Sequence, residues 1–185
     1  MAKLIKEGLH TAIIEVTLED AESIIALRNN PEINKFLSSS KAISVSEQKE
    51  WIASNQKQGN NAYFKIIDTH NGNFCGTISI YNIINNSGEF GRYICTQNLQ
   101  AIESELLLIR LCFEELGLKK IFCKTVIENS RVWMQHYKFG FEDRNEEKGG
   151  KHNELTFKVQ ELKIEKYKSF DYTPIERLLN KFINR

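Results

Sequence analysis

The chain has no surplus of either charge: Lys and Arg number 25, Asp and Glu 24, and the net charge is +1. Nucleic-acid binding draws on neutralised phosphates, and this balance leaves no basic excess to supply it. The first seven residues, MAKLIKE, hold no long apolar run, so neither a signal peptide nor a membrane anchor is expected. Cys75, Cys95, Cys112 and Cys123 lack CxxC spacing and sit in apolar stretches. They are expected to be buried thiols in a reducing cytoplasm rather than disulfides or metal ligands. His10, His70 and His152 fall in loops or at strand ends without ligand spacing, so no metal is expected. Internal repeats and low-complexity tracts are missing as well. What remains is 41% hydrophobic and 10% aromatic content in 185 residues. That excludes a disordered chain and suits one domain, residues 1–160, with a strand or helix extension over 161–185.

The periodicities give an order. Ala12 to Val16 reads as a strand, and Thr17 to Asp20 caps a helix carrying Ala21, Ile24, Ile25 and Leu27, which Pro31 stops. A polar linker, Asn30 to Ser44, leads to a second capping box, Ser44 to Glu47, and a helix through Trp51 and Ile52. Strands follow at Ala62 to Asp68 and Phe74 to Tyr81, joined across an Asn-Gly turn, and at Phe90 to Ile94. Glu103 to Leu116 reads as a buried helix whose thin polar stripe is Glu103, Arg110 and Glu114, closed by Gly117. A strand at Ile121 to Val126, a short helix opening at Asn129, strands from Phe141 and around Leu155 to Val159, and a tail helix through Ile175 to Ile183 complete it. The result is β-α-α-β-β-β-α-β-α-β-β, an α/β chain on a mixed sheet flanked by helices.

The segment Asn129 to Phe141, NSRVWMQHYKFGF, carries the most information. Val132, Trp133, His136 and Tyr137 share one face of its helix, and Gly140 ends it. It resembles the N-x-x-(A/S)…Y…G-F segment of the GNAT superfamily of acyl-CoA-dependent N-acyltransferases. Ala101-x-Glu103…Phe113-Glu114-Glu115-Leu116-Gly117-Leu118 is likewise similar to that family's central helix, and the element order matches from about Thr11 to Val159. The resemblance implies a GNAT fold and acyl-CoA as co-substrate, without metal. It puts His136 where the family usually has its general-acid Tyr, with Tyr137 as the neighbouring alternative. Glu89 is a candidate base for the incoming amine. The CoA side would comprise the strand backbone at Tyr93, Ile94 and Cys95, the helix start at Leu99, Gln100, Ala101, Ile102 and Glu103, and Asn129 with Arg131. In one respect the chain departs from the family: Thr96 to Ala101 contains no glycine where the family's phosphate loop favours (Q/R)-x-x-G-x-(G/A).

For the acceptor, Leu27 to Pro31 with Ser44 to Ile52 resembles a subgroup of two kinds of enzyme. One acylates amino groups of nucleotide-linked deoxysugars, as in the pseudaminic-acid pathway; the other comprises the related ribosomal-protein acetyltransferases. A dTDP- or UDP-linked amino sugar would find suitable contacts in Arg28, Asn29, Trp51, Tyr63 and Asn82, by charge, stacking and hydrogen bonding. Transfer to a protein α-amine, or a CoA-binding module without turnover, are the alternatives. The apolar face of the tail helix leads to the expectation of a homodimer.

Overall fold

The computed structural model of the protein describes residues 4–37, 41–144, 147–148 and 155–182. Strands β1 (Leu4–Glu7), β2 (Thr11–Glu15), β3 (Ala62–Asp68), β4 (Phe74–Ile84) and β5 (Ser87–Cys95) form an antiparallel meander. β5 then pairs in parallel with β6 (Lys120–Val126), and β6 pairs antiparallel with β9 (Thr156–Lys163). The two-residue strands β7 (Glu142–Asp143) and β8 (Glu147–Lys148) both add to β9. The expected mixed α/β sheet is therefore present. β1 and the α2 helix (Pro31–Asn34) are additions to the expected order. Pro31 does not merely stop α1 (Ala21–Arg28). It occupies the first turn of α2, where its missing N–H has no partner to lose.

Local chemistry explains most boundaries. The Thr17–Asp20 and Ser44–Glu47 boxes both form, the second opening α3 (Val45–Lys57). β4 and β5 are longer than the alternation suggests, because Asn85 and Asn86 take φ of 50° and 59° and make a two-residue hairpin turn of the primed type. The helix expected from Glu103 begins one and a half turns earlier: α4 spans Asn98–Arg110 and continues through a π-helical turn, Leu111–Glu115. Gly117, at φ 64°, ends it as expected.

Alternate residues of a strand face opposite sides of the sheet. On β3, Phe64 and Ile66 join Leu106, Leu107 and Leu108 of α4 in the larger core. Tyr63 joins Ala21, Ile24 and Ile52 of α1 and α3 in a smaller one. The two helix layers thus cover opposite faces. The tail forms α6 (Ile164–Ser169) and α7 (Thr173–Asn180), whose Ile175 and Leu179 are buried in the larger core. Leu179 also accepts a hydrogen bond through its carbonyl from His10 Nε2 at 2.8 Å, and Arg110 pairs with Glu176 at 2.6 Å. Of the apolar stripe expected to pack on the domain or on a second subunit, Ile175 and Leu179 are buried within the chain, Phe182 is half-buried and Leu178 is exposed, while Ile183 lies outside the described residues. No helix among the described residues is long and apolar enough to cross a membrane.

Candidate active site

β5 and β6 stay paired only from Ser87↔Lys120 to Glu89↔Phe122, after which they part. Each strand keeps its other neighbour, β5 with β4 as far as Gly76↔Cys95 and β6 with β9 as far as Val126↔Phe157, so the fork leaves the facing edges open, that of β5 from Phe90 onward. On its closed side β5 bulges against β4. The register shifts between Thr77 and Ser79, and Arg92 takes φ 49°, a left-handed conformation uncommon for a side chain of this size. Gly76 permits the bulge, since a Cβ there would lie 1.9 Å from the Ile94 carbonyl oxygen.

The fork opens a cleft of about 550 Å³ that reaches both faces of the sheet. Tyr93, Cys95, Ala101, Asn129, Arg131 and His136 line it on or near the α4 side, and Arg28, Tyr63, Tyr81, Glu89 and Arg92 on the α1 and α3 side, with Ile94 also lining it. The sides follow from contacts. The Tyr93 hydroxyl donates to the Ala101 carbonyl of α4 at 2.7 Å, whereas the Arg92 guanidinium lies over Trp51 of α3.

His136 ends α5 (Ser130–Tyr137) and is 1% exposed. Its Nδ1–H donates to Glu105 Oε1 at 2.6 Å, and Gln135 Nε2 donates to Glu105 Oε2 at 2.6 Å and to the Tyr93 hydroxyl at 3.0 Å. Glu105, on α4, is 0% exposed and both its oxygens are engaged. Burial by itself would push the histidine down, but Cys123, which also hydrogen-bonds the ring, and Glu105 outweigh it and raise His136 to about 10. The side chain is therefore an imidazolium at neutral pH. Burial and the Glu105 charge hold the Tyr93 phenol well above its usual range. Burial pushes the Cys95 thiol up to about 12, which removes it as a nucleophile.

Glu105 and Gln135 are site residues that sequence reasoning missed, as is Arg92 on the other face of the sheet. For Glu105 the signal was present. A carboxylate inside an otherwise apolar helix must find a buried partner, and His136 was the ionisable side chain on the apolar face of the next helix.

The α4 start corrects part of the expected CoA set. The Gln97 N-cap makes no side-chain cap, so the first-turn N–H groups, those of Leu99 and Gln100 among them, lack intrahelical partners and present an anion-binding end. The Ala101 N–H already bonds the Gln97 carbonyl. Ile102 and Glu103 lie in the second turn, where their N–H groups are consumed by the helix. The Glu103 carboxylate instead accepts from the backbone of Leu9 and His10, at 2.7 Å each, and the Gln100 side chain donates to Asp68 at 3.0 Å. Arg131 hydrogen-bonds the Asn98 side chain, which sets a guanidinium beside the helix start. Asn129 occupies the α5 N-cap, but its side chain makes no capping bond. These groups could hold the phosphates and amide arm of a nucleotide thioester without a glycine loop, because the donors are backbone N–H groups.

The other expected residues divide. Tyr137 points out of the cleft: it is 38% exposed and its hydroxyl donates to Asp143 at 2.6 Å. Asn29 pins the 41–44 segment by a reciprocal pair of bonds with Ile43, at 3.2 and 3.3 Å, and does not line the cleft. Asn82 supports Glu89 from outside, donating to Oε2 at 3.3 Å, while the Tyr81 hydroxyl donates to Oε1 at 2.8 Å. Trp51 meets Tyr63 edge-on at 5.4 Å and backs the wall rather than forming it.

Comparison with known proteins agrees with this geometry. Residues 11–142 match the family profile described as the acetyltransferase (GNAT) domain. Among solved structures, FdhC without ligand, described as a nucleotide-linked sugar GNAT, superposes with a TM-score of 0.77 at 26% identity, over 97% of this chain and 99% of its own. The spermidine N-acetyltransferase of Vibrio cholerae, solved with CoA and spermine, gives 0.76 at 19% identity over 88% and 100%. A GCN5-related N-acetyltransferase from Brucella melitensis gives 0.75 at 14% over 98% and 88%. No curated protein matches the sequence. The matched profile spans most of the chain, and the protein belongs to the GNAT family of acyl-CoA-dependent N-acetyltransferases.

Proposed function

We propose that the enzyme transfers an acetyl or longer acyl group from acyl-CoA to the amino group of a nucleotide-linked amino-deoxysugar, by direct attack. The observation that carries this reading is the end-to-end likeness to a nucleotide-linked sugar GNAT, which extends through the tail helices that the matched profile leaves out.

In this mechanism the open edge of β5 supplies N–H donors for the thioester oxygen as it becomes an oxyanion. The α4 start and Arg131 take the CoA phosphates, and Asn129 the amide arm. The amine forms a bond to the carbonyl carbon, the C–S bond breaks, and the sulfur leaves as a thiolate facing the His136 imidazolium. Moving a proton from an acid at about 10 to a thiolate whose own pKa is about 8.5 is uphill by roughly 2 kcal/mol. His136 therefore acts first as a fixed positive charge for the departing sulfur and only then as its proton source. Glu89, the cleft carboxylate at the last paired position of β5, receives the proton lost by the incoming ammonium.

The test is a direct competition of acceptors. Purified enzyme is given acetyl-CoA with dTDP- or UDP-linked amino sugars, with spermidine, or with peptides bearing free α-amines, and thiol release is followed. Turnover on a nucleotide sugar with at least about 100-fold higher kcat/KM than on the others supports the reading, an advantage of about 2.7 kcal/mol in transition-state binding. Preference for spermidine or peptide would sink it.

A further inference from the structure

We propose that Arg28 and Arg92 together form a phosphate-binding subsite on the α1 and α3 side of the cleft, which takes the diphosphate of the acceptor. This deepens the nucleotide-sugar reading and rests on it.

Both guanidiniums line the cleft, and neither forms an ion pair among the described residues. Arg28 closes the last turn of α1, and its Nε is buried with no hydrogen-bond partner. Arg92 is held from two sides, its guanidinium carbon 4.1 Å from the Tyr81 ring centroid and 4.7 Å from that of Trp51. The rings fix the plane of the fork and satisfy none of its five N–H donors, and the one polar side-chain contact among the described residues is 3.5 Å to Ser79 Oγ.

The two cations also act on one another. Burial lowers Arg92; Tyr81, Tyr63 and the Glu89 carboxylate act against it, and the nearby Arg28 charge adds a smaller lowering of its own. Holding two like charges in a half-buried wall is unfavourable unless a counter-charge arrives. The resident acids fill that role only in part: Glu89 favours the Arg92 charge across the cleft, but among the described residues no carboxylate makes an ion pair with either guanidinium. Glu89 is engaged by Tyr81 and Asn82, and Glu32 at the rim pairs with Lys35 at 2.6 Å. The left-handed φ of Arg92, 49°, is a further cost carried at the cleft itself.

A diphosphate answers each of these features. It brings two negative charges and several acceptors in a geometry that planar guanidinium forks engage in pairs. A polyamine would add positive charge to a wall already carrying two. CoA also carries phosphates, but Arg131 and the α4 start wait for them on the opposite side of the sheet.

Calorimetric titration of the full chain distinguishes the two sources. Wild type, Arg28→Gln, Arg92→Gln and Arg92→Lys are titrated with dTDP, UDP and CoA, with melting curves recorded for each variant. Loss of charge-assisted bonds should weaken the preferred nucleoside diphosphate by about 10- to 100-fold in both Gln variants, with CoA affinity changed less than about twofold. Arg92→Lys, which keeps the charge and loses the fork, should fall between and confirm that the cradle still folds. A CoA affinity that falls in step with the nucleoside diphosphate overturns the assignment. So does nucleoside-diphosphate binding that survives both Gln changes. If those variants also keep the wild-type KM for a nucleotide-linked amino sugar, the subsite fails while the proposed function stands. If wild-type enzyme acylates spermidine and binds neither diphosphate, both fail together.

Discussion

Glu105→Gln tests the buried pair on which the site is built. In the folded chain Cys123 and Glu105 raise His136 to about 10, whereas an unfolded histidine releases its proton near about 6.5. A folded value raised in this way contributes stability that is fully present below the unfolded pKa and is lost as the pH rises through the folded one. Within that window the native state binds about one more proton than the unfolded chain, so stability falls by about 1.4 kcal/mol per pH unit. Glutamine preserves the shape and can still accept from Nδ1–H through its carbonyl, but brings no charge, so with only Cys123 left to raise it His136 should lose its proton at a lower pH and its share of the slope should shrink. Urea melts between about pH 7 and about pH 9 should show the wild type losing more stability than the variant, by up to about 2–3 kcal/mol. Groups that titrate alike in both proteins cancel in the difference. Glu105→Ala leaves the histidine without a partner and should cost about 3–5 kcal/mol, on the order of 6–20 °C in Tm for a domain of this size. Parallel loss of stability in wild type and Glu105→Gln over this range would mean that no charged pair is buried there, and the account of His136 would be refuted.

The other expectations are more direct. His136→Gln should lower kcat by about 10²-fold or more while acyl-CoA binding persists, read by steady-state kinetics beside calorimetry. Tyr137→Phe should leave kcat within about twofold, because its hydroxyl faces Asp143 and not the cleft. Gly76→Ala should destabilise by more than about 2 kcal/mol in chemical denaturation, as its Cβ would meet the Ile94 carbonyl at 1.9 Å. CoA at about 100 times its Kd should stabilise the wild type by about 2.7 kcal/mol, and Arg131→Ala should need a higher concentration for the same shift.

Much of the architecture was legible because local chemistry and global fold agree. Two capping boxes, an Asn-Gly turn, a glycine stop at Gly117 and alternating apolar strands each fall where the tertiary structure needs them. The site was legible only where one residue carries its own signal. His136 stood out as an imidazole on an apolar face. Glu105 did not, because the α4 helix was read as having a single polar stripe through Glu103, and a second buried acid two residues on had no place in that pattern. Glu103 itself was misread for the same reason: its bonds to Leu9 and His10 span more than ninety residues of sequence. Arg92 was not noticed, because its importance lies in a left-handed backbone at a bulge, which no side-chain periodicity reports. The start of α4 was placed late because Asn98 to Gln100 are ordinary helix residues with no distinctive cap.

The parting of β5 from β6 has a kinetic meaning. With CoA on the α4 side and the acceptor on the α1 and α3 side, as proposed, a cleft that passes through the sheet would give the two reactants separate doors that meet at the fork. Neither needs to leave before the other enters, and neither blocks the other's exit. Initial rates measured with both substrates varied should give intersecting double-reciprocal lines rather than parallel ones, and each product should inhibit competitively only against the substrate that shares its door.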